Sequence, residues 1–210
     1  MPGEMPSLAA LATQTQQIYE RNAARFDTER SKILVEKPWL DRFAALLPSN
    51  GVVLDAGCGA GDPIAAYFTA LGYRITGIDA AGAMIDLARR AFPGGEWMQT
   101  DMRRLDLGRT FHGIIGWDSL FHLTPDEQRT TLVRLASHLD WDGVLMLTVG
   151  PDAGEVTGHV GDDIVYHSSL SPSEYEEILT GLGLHIVDFR LEDPDCDYRT
   201  ILLARKQSCD

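Results

Sequence analysis

The sequence predicts an α/β fold: a doubly wound, mostly parallel sheet of seven strands with helices on both faces, preceded by N-terminal helices. Three observations predict it. From Gly51 onward, short apolar runs alternate with segments of helical length. Parallel strands buried on both faces read as such runs, with helices as the crossovers between them. The first run breaks into "GCGAGDP", residues 57–63, with glycine at alternate positions; the turn after the first strand is the usual ligand contact of an open α/β sheet. The last two apolar runs lie close together and pair as a closing antiparallel hairpin.

The elements follow in order. Residues 8–26, LAALATQTQQIYERNAARF, lack Gly and Pro and place Leu8, Leu11, Ile18 and Phe26 at helical intervals. A second helix runs through KPWLDRFAALL and stops before Pro48, because the residue preceding proline disfavours the helical region. Residues 1–48 thus form a helical cap outside the sheet. The core, 49–210, reads as strand VVLDAG and helix 63–71, strand YRITGID and helix 82–91, strand EWMQTD, strand FHGIIGWD and helix 125–139, and strand GVLMLTVG. Helix PSEYEEILTGLG and the two runs LHIVDFRL and YRTILLARK complete it. No repeat, low-complexity tract or linker interrupts the chain, so one domain over 1–210 is expected, with 151–170 as its main excursion.

Composition narrows the function. A net charge of −13 with no basic cluster repels a phosphate backbone, which argues against nucleic acid as partner. No apolar stretch is long enough to span a bilayer and no basic segment leads into an apolar one near Met1, so a cytoplasmic protein without a membrane partner is expected. Cys58, Cys196 and Cys209 are scattered, and neither they nor the histidines show metal-ligand spacing, so no metal is expected.

The glycine turn is not the dinucleotide fingerprint. Counted from Gly57 and Gly59, the third glycine of G-x-G-x-x-G falls on Asp62, and an acid near a helix N-terminus repels a pyrophosphate. No Lys followed by Ser or Thr makes a P-loop. A ligand with a cationic part fits better. Asp55, Gly57, Cys58, Gly59 and Gly61 resemble the first motif of the class I S-adenosylmethionine-dependent methyltransferases of small-molecule type, an acid followed by G-x-G-x-G. The likeness continues with Asp79 at the end of ITGID, Asp101 and Met102 in QTDM, and GWDSLFHL at 116–123 with Trp117.

The resemblance implies a Rossmann-like fold and S-adenosylmethionine as donor, becoming S-adenosylhomocysteine. It implies Asp79 on the ribose hydroxyls, Asp101 on the adenine amino group, Met102 beside the ring, and the segment around Trp117 at the methyl. Ala80 and Met84 are further expected donor contacts, although spacing alone reads Met84 as packing. Tyr19 and Phe26, seven apart on one helical face, resemble an aromatic pair folded over the donor, with Arg30 one turn on to meet its carboxylate.

The expected partner is a small-molecule acceptor, met by 151–170, and the expected state is a monomer or homodimer. His122 is the leading general-base candidate, since an imidazole titrates near neutrality. His167 and Tyr166 are the others; on a strand they point to opposite faces, so at most one reaches a pocket. A donor-binding protein without transferase activity and a nicotinamide-dependent oxidoreductase are the alternatives to a methyltransferase.

Overall fold

The computed structural model describes residues 6–208; Cys209 lies outside them. Helix α1 (Leu8–Glu29) starts at Ser7, whose hydroxyl accepts from the Ala10 N–H, and α2 (Lys37–Ala45) carries its proline in the first turn, where no N–H is missed. Strands β1 (Val52–Ala56), β2 (Arg74–Asp79), β3 (Glu96–Gln99) and β4 (Phe111–Gly116) follow, with α3 (Ile64–Ala70) and α4 (Gly82–Ala91) as crossovers. Next come α5 (Pro125–Ser137), β5 (Leu139–Val149), β6 (Gly154–Val160), β7 (Asp163–Ser169), α6 (Pro172–Gly181), β8 (Leu184–Asp193) and β9 (Arg199–Lys206). The Thr124 hydroxyl and the Glu127 carboxylate form a reciprocal capping box that fixes the start of α5.

Seven strands make one sheet in the order β3-β2-β1-β4-β5-β9-β8. The first five pair in parallel, while β9 runs antiparallel to both β5 and β8. The fold is therefore the expected Rossmann-like sheet with a C-terminal hairpin, and β9 alone runs against the rest. Side-chain alternation feeds two cores. Leu54, Ile114 and Leu145 meet Leu132 and Tyr175 of α5 and α6; Val53, Ile115 and Met146 meet Phe43, Phe68 and Ile85 of α2, α3 and α4.

Strand β5 begins four residues before the sequence pattern suggests, because Leu139 already pairs with Phe111 before the register shifts near Gly113. The excursion 151–170 contains a second, two-stranded sheet, β6 against β7. It packs on α1 through Val160 and Val165 against Ile18, Tyr19 and Phe26. Arg21 and Asn22 reach Asp163 at 2.6 and 2.7 Å, and Arg25 reaches Asp162 at 2.8 Å. Helix and hairpin thus form one cover over the carboxyl ends of β1, β2 and β4.

Candidate active site

The wall of the cavity under this cover begins with the turn after β1. The N–H groups of Gly57 and Cys58 both donate to the Ile78 carbonyl of β2, which pins the turn to the neighbouring strand. One Asp79 oxygen accepts from Gly59 N–H at 2.9 Å and the other from Ala81 N–H at 2.8 Å. Each oxygen keeps acceptor capacity for a further donor. Burial raises the pKa of Asp79, opposed by those two backbone N–H groups and reinforced by Glu20.

Further round, Asp101 caps the short turn Met102–Arg104 and takes the Arg103 guanidinium at 2.7–3.0 Å. Arg103 in turn reaches Glu127 at 2.7 Å. Partial burial pushes the Asp101 pKa up, but the hydrogen bonds from Arg103 outweigh it and hold the carboxyl below its usual value. Met102 and the buried Trp117 line the same cavity, as do Ala80 and Met84. From above, α1 supplies Tyr19 and Phe26, edge to face at 5.4 Å, and Arg30 follows at its end, 5.9 Å from the Phe26 ring centroid.

Five sequence candidates are placed elsewhere. Asp55 is buried in β1, and its carboxyl, desolvated and next to Asp79, is pushed up to about 7, with Arg30 pulling the other way. Cys58 turns its sulfur towards Gly77 of β2, where an added Cβ would lie 2.9 Å away. Burial, helped by Asp55 and Asp79, raises its thiol pKa far above the usual value, so it stays protonated. Gly61 is required by packing: its φ is +86° and a Cβ there would stand 3.0 Å from the Trp97 ring. Tyr166 is fully buried and its hydroxyl donates to Glu155 at 2.5 Å. His167 packs behind the cavity wall against Phe121 and His122, with ring centroids 4.6 and 4.9 Å apart. The strand therefore brings neither Tyr166 nor His167 to the cavity.

His122 is at the cavity but is not a free base. Its Nδ1 lies 3.1 Å from the Tyr166 carbonyl, which only accepts, so Nδ1 carries the proton. Nε2 then accepts from the Tyr19 hydroxyl at 2.8 Å. Burial first, and the neighbouring His167 second, lower its pKa to about 4, against the Tyr166 carbonyl and Asp118. A neutral imidazole with both nitrogens engaged holds Tyr19 in place.

Sequence reading missed several wall residues. Gln16 donates to the Ala80 carbonyl at 2.8 Å, and Glu20 accepts from Ala83 N–H, which docks α1 on the start of α4. Gln16 and Glu20 flank Tyr19 on the helix, so the face that suggested Tyr19 carried that signal. Asp118 accepts a forked hydrogen bond from Arg199 at 3.0–3.1 Å, across 81 residues. No local pattern shows such a pair. Asp62, expected to repel a pyrophosphate, lies off the cavity with Lys32 at 3.3 Å.

Residues 53–143 match a family model described as a methyltransferase domain. Over 102 residues the chain is 32% identical to the trans-aconitate 2-methyltransferase of Azoarcus sp. (strain BH72), covering 48% of this chain and 40% of that protein. The chain thus spans about two fifths of the length of the curated relative that it matches. Among solved structures, an amino pentose methyltransferase from Micromonospora echinaspora superposes with a TM-score of 0.69 at 21% identity, covering 89% of this chain and 96% of the other. The 1,6-didemethyltoxoflavin-N1-methyltransferase of Burkholderia thailandensis gives 0.71 at 22% identity, covering 99% and 94%. At such identities these two likenesses show that the sheet and its cover share a fold with them.

Proposed function

We propose that the protein transfers the methyl group of S-adenosylmethionine to a small-molecule acceptor. The observation that carries this reading is the convergence, in one cavity, of Gly57 and Gly59, Asp79, Asp101 with Met102, and Trp117, each at or just past the carboxyl end of a different strand of the parallel sheet. The residues fit the donor on two structural counts. A Cβ built on Gly59 meets only Met84 Sδ, at 4.0 Å, so the turn leaves a cradle on its cavity side. The Asp79 carboxyl, half satisfied by backbone, has acceptor sites to spare.

Bound there, the donor supplies a methyl carbon activated on a sulfonium. Asp79 would take the ribose diol, and Asp101, steadied by Arg103, would accept from the adenine amino group beside Met102. The Arg30 guanidinium has no ion pair within 4.0 Å among the described residues, which suits it to the donor carboxylate. Helix α1, tied down at Gln16, Tyr19 and Glu20, excludes water from the reacting centre and holds the cover that aligns the acceptor. The Tyr19–His122 pair is a positioning pair in this scheme.

Calorimetry with S-adenosylmethionine, S-adenosylhomocysteine and NAD tests the reading. Both adenosyl compounds bind, and Asp79→Ala weakens them about a hundredfold, the loss of two hydrogen bonds to a charged group. Binding of NAD alone would overturn it. Binding of the donor without any methylated product in an acceptor screen read by mass spectrometry would leave a binding protein in place of an enzyme.

A further inference from the structure

A second cavity, with about 310 Å³ of free space, adjoins the first and shares Phe26, Arg30 and Asp118 with it. It opens between the end of α1, the segment leading to α2, the tip of the β6–β7 hairpin and the start of β9. Phe26, Ile33, Val35 and Val160 give it apolar walls. Its guanidinium groups are mostly committed: Arg25 to Glu29 and Asp162, at 2.7 and 2.8 Å, and Arg199 to Asp118 and Asp197, at 3.0 and 3.2 Å.

Glu36 is the exception among the acids. It lines this cavity with only 3% of its surface exposed, and no cation stands within 4.0 Å of its carboxylate among the described residues. Burial raises its pKa, with its own backbone N–H, Arg30 and Arg199 opposing and Asp118 adding. A buried carboxylate without a partner is costly, and an incoming cation relieves that cost. Sequence reading gave no hint of it, because Glu36 belongs to no motif and meets the cavity only through the fold.

We infer that this second cavity is the acceptor site, that it takes a small molecule by an amino group, and that Glu36 is the group that receives the amine's proton. The inference rests on the methyl-transfer reading. The acceptor enters as an ammonium and pairs with Glu36. Transfer of one N–H proton to the carboxylate leaves a neutral amine with a lone pair. That pair forms the bond to the methyl carbon as the methyl–sulfur bond breaks, giving an N-methylammonium and a neutral thioether. The proton on Glu36 then leaves to solvent. A carboxylate-bearing acceptor centre is disfavoured at the same spot, since it would meet Glu36 as a like charge.

The test uses the full chain and paired probes of equal skeleton: glucosamine and glucose, benzylamine and benzyl alcohol, cyclohexylamine and cyclohexanol. Calorimetry on protein saturated with S-adenosylhomocysteine reads binding, and mass spectrometry with S-adenosylmethionine reads transfer. The expected result is binding and N-methylation of amines and not of their alcohol partners. Glu36→Gln then lowers turnover about a hundredfold, the scale of a lost general base, with S-adenosylhomocysteine affinity unchanged, and Glu36→Asp restores part of it.

Ile33→Trp, at an exposed position on the cavity rim, raises the amine KM without touching donor affinity, and it serves if the Glu36 variants do not fold. No amine bound or methylated, alcohols methylated as well as amines, or Glu36→Gln as active as wild type would each overturn the inference. Failure of wild type to bind S-adenosylhomocysteine would instead overturn the methyl-transfer reading itself.

Discussion

The Tyr19 hydroxyl donates to His122 Nε2 across 2.8 Å, joining the helix that covers the cavity to the segment that follows β4. The bond has a fixed direction, because the Tyr166 carbonyl claims the proton on Nδ1. It also ties the cap to the core through the aromatic side chain expected over the donor and the histidine expected as a general base.

Tyr19→Phe removes the donor and leaves Nε2 buried without a partner. The expected cost is about 1–3 kcal/mol of stability, with S-adenosylhomocysteine affinity falling roughly tenfold as α1 loosens. Thermal melts and calorimetry check both. A variant with wild-type melting temperature and affinity would show that the pair neither stabilises nor positions the cover.

In the proposed scheme Arg30 meets the donor's carboxylate and not its nucleoside, so the two parts of the ligand can be told apart. Arg30→Met is expected to weaken S-adenosylhomocysteine by about 10- to 100-fold, the scale of a lost charge-assisted bond, while adenosine, which has no carboxylate, binds as before. Equal losses for the two ligands would place Arg30 in the general packing of the cover, where it lies against Phe26.

The sheet and most of the wall of the first cavity were legible because they are local. Strand-length runs and a glycine turn are written in consecutive residues, and strand ends put Asp79, Asp101 and Trp117 at one edge by topology alone. What was not legible is set by distant pairing. Asp118 finds Arg199 across 81 residues. The hairpin β6–β7 turns Tyr166 into the core, and Glu36 meets a cavity whose walls come from four separate segments. Asp55 shows the limit in another way: it sits within the motif, yet its side chain is buried in the sheet and does not line the cavity.

Two buried groups give opposite dependences on pH. Asp55 in the fold titrates near 7, so above about pH 4 the unfolded chain ionises first and stability drains away until about pH 7. Asp55→Asn removes that loss: its advantage in melting temperature over wild type is absent near pH 4 and full near pH 7. His122 in the fold titrates near 4, so the unfolded chain takes up its proton first and stability falls as pH drops from about 6.5 to about 4. His122→Gln starts below wild type for its lost hydrogen bonds, and the gap narrows across that window. Melts of the three proteins at several pH values check both; gaps that do not change with pH would contradict the burial of these charges.

Gly57 and Gly59 sit two residues apart in the same turn, and the structure gives them different reasons to be glycine. At Gly57, φ +84°, a Cβ would stand 2.3 Å from Ser119 Cβ, and Ser119 cannot swing aside because its hydroxyl is bound to the Ala56 carbonyl at 2.7 Å. At Gly59, φ +53°, a Cβ meets nothing nearer than Met84 Sδ, and its open side is the cavity. Gly57→Ala is therefore expected to cost about 2–4 kcal/mol of stability through overpacking and backbone strain. Gly59→Ala should cost about 1–2 kcal/mol, the backbone share alone, while placing a methyl where the donor would lie. The two variants should separate in paired measurements: Gly57→Ala shows the larger drop in melting temperature, and Gly59→Ala the larger loss of S-adenosylhomocysteine affinity per degree lost. Equal melting temperatures would mean that Ser119 yields, and unimpaired binding by Gly59→Ala would move the donor away from this turn.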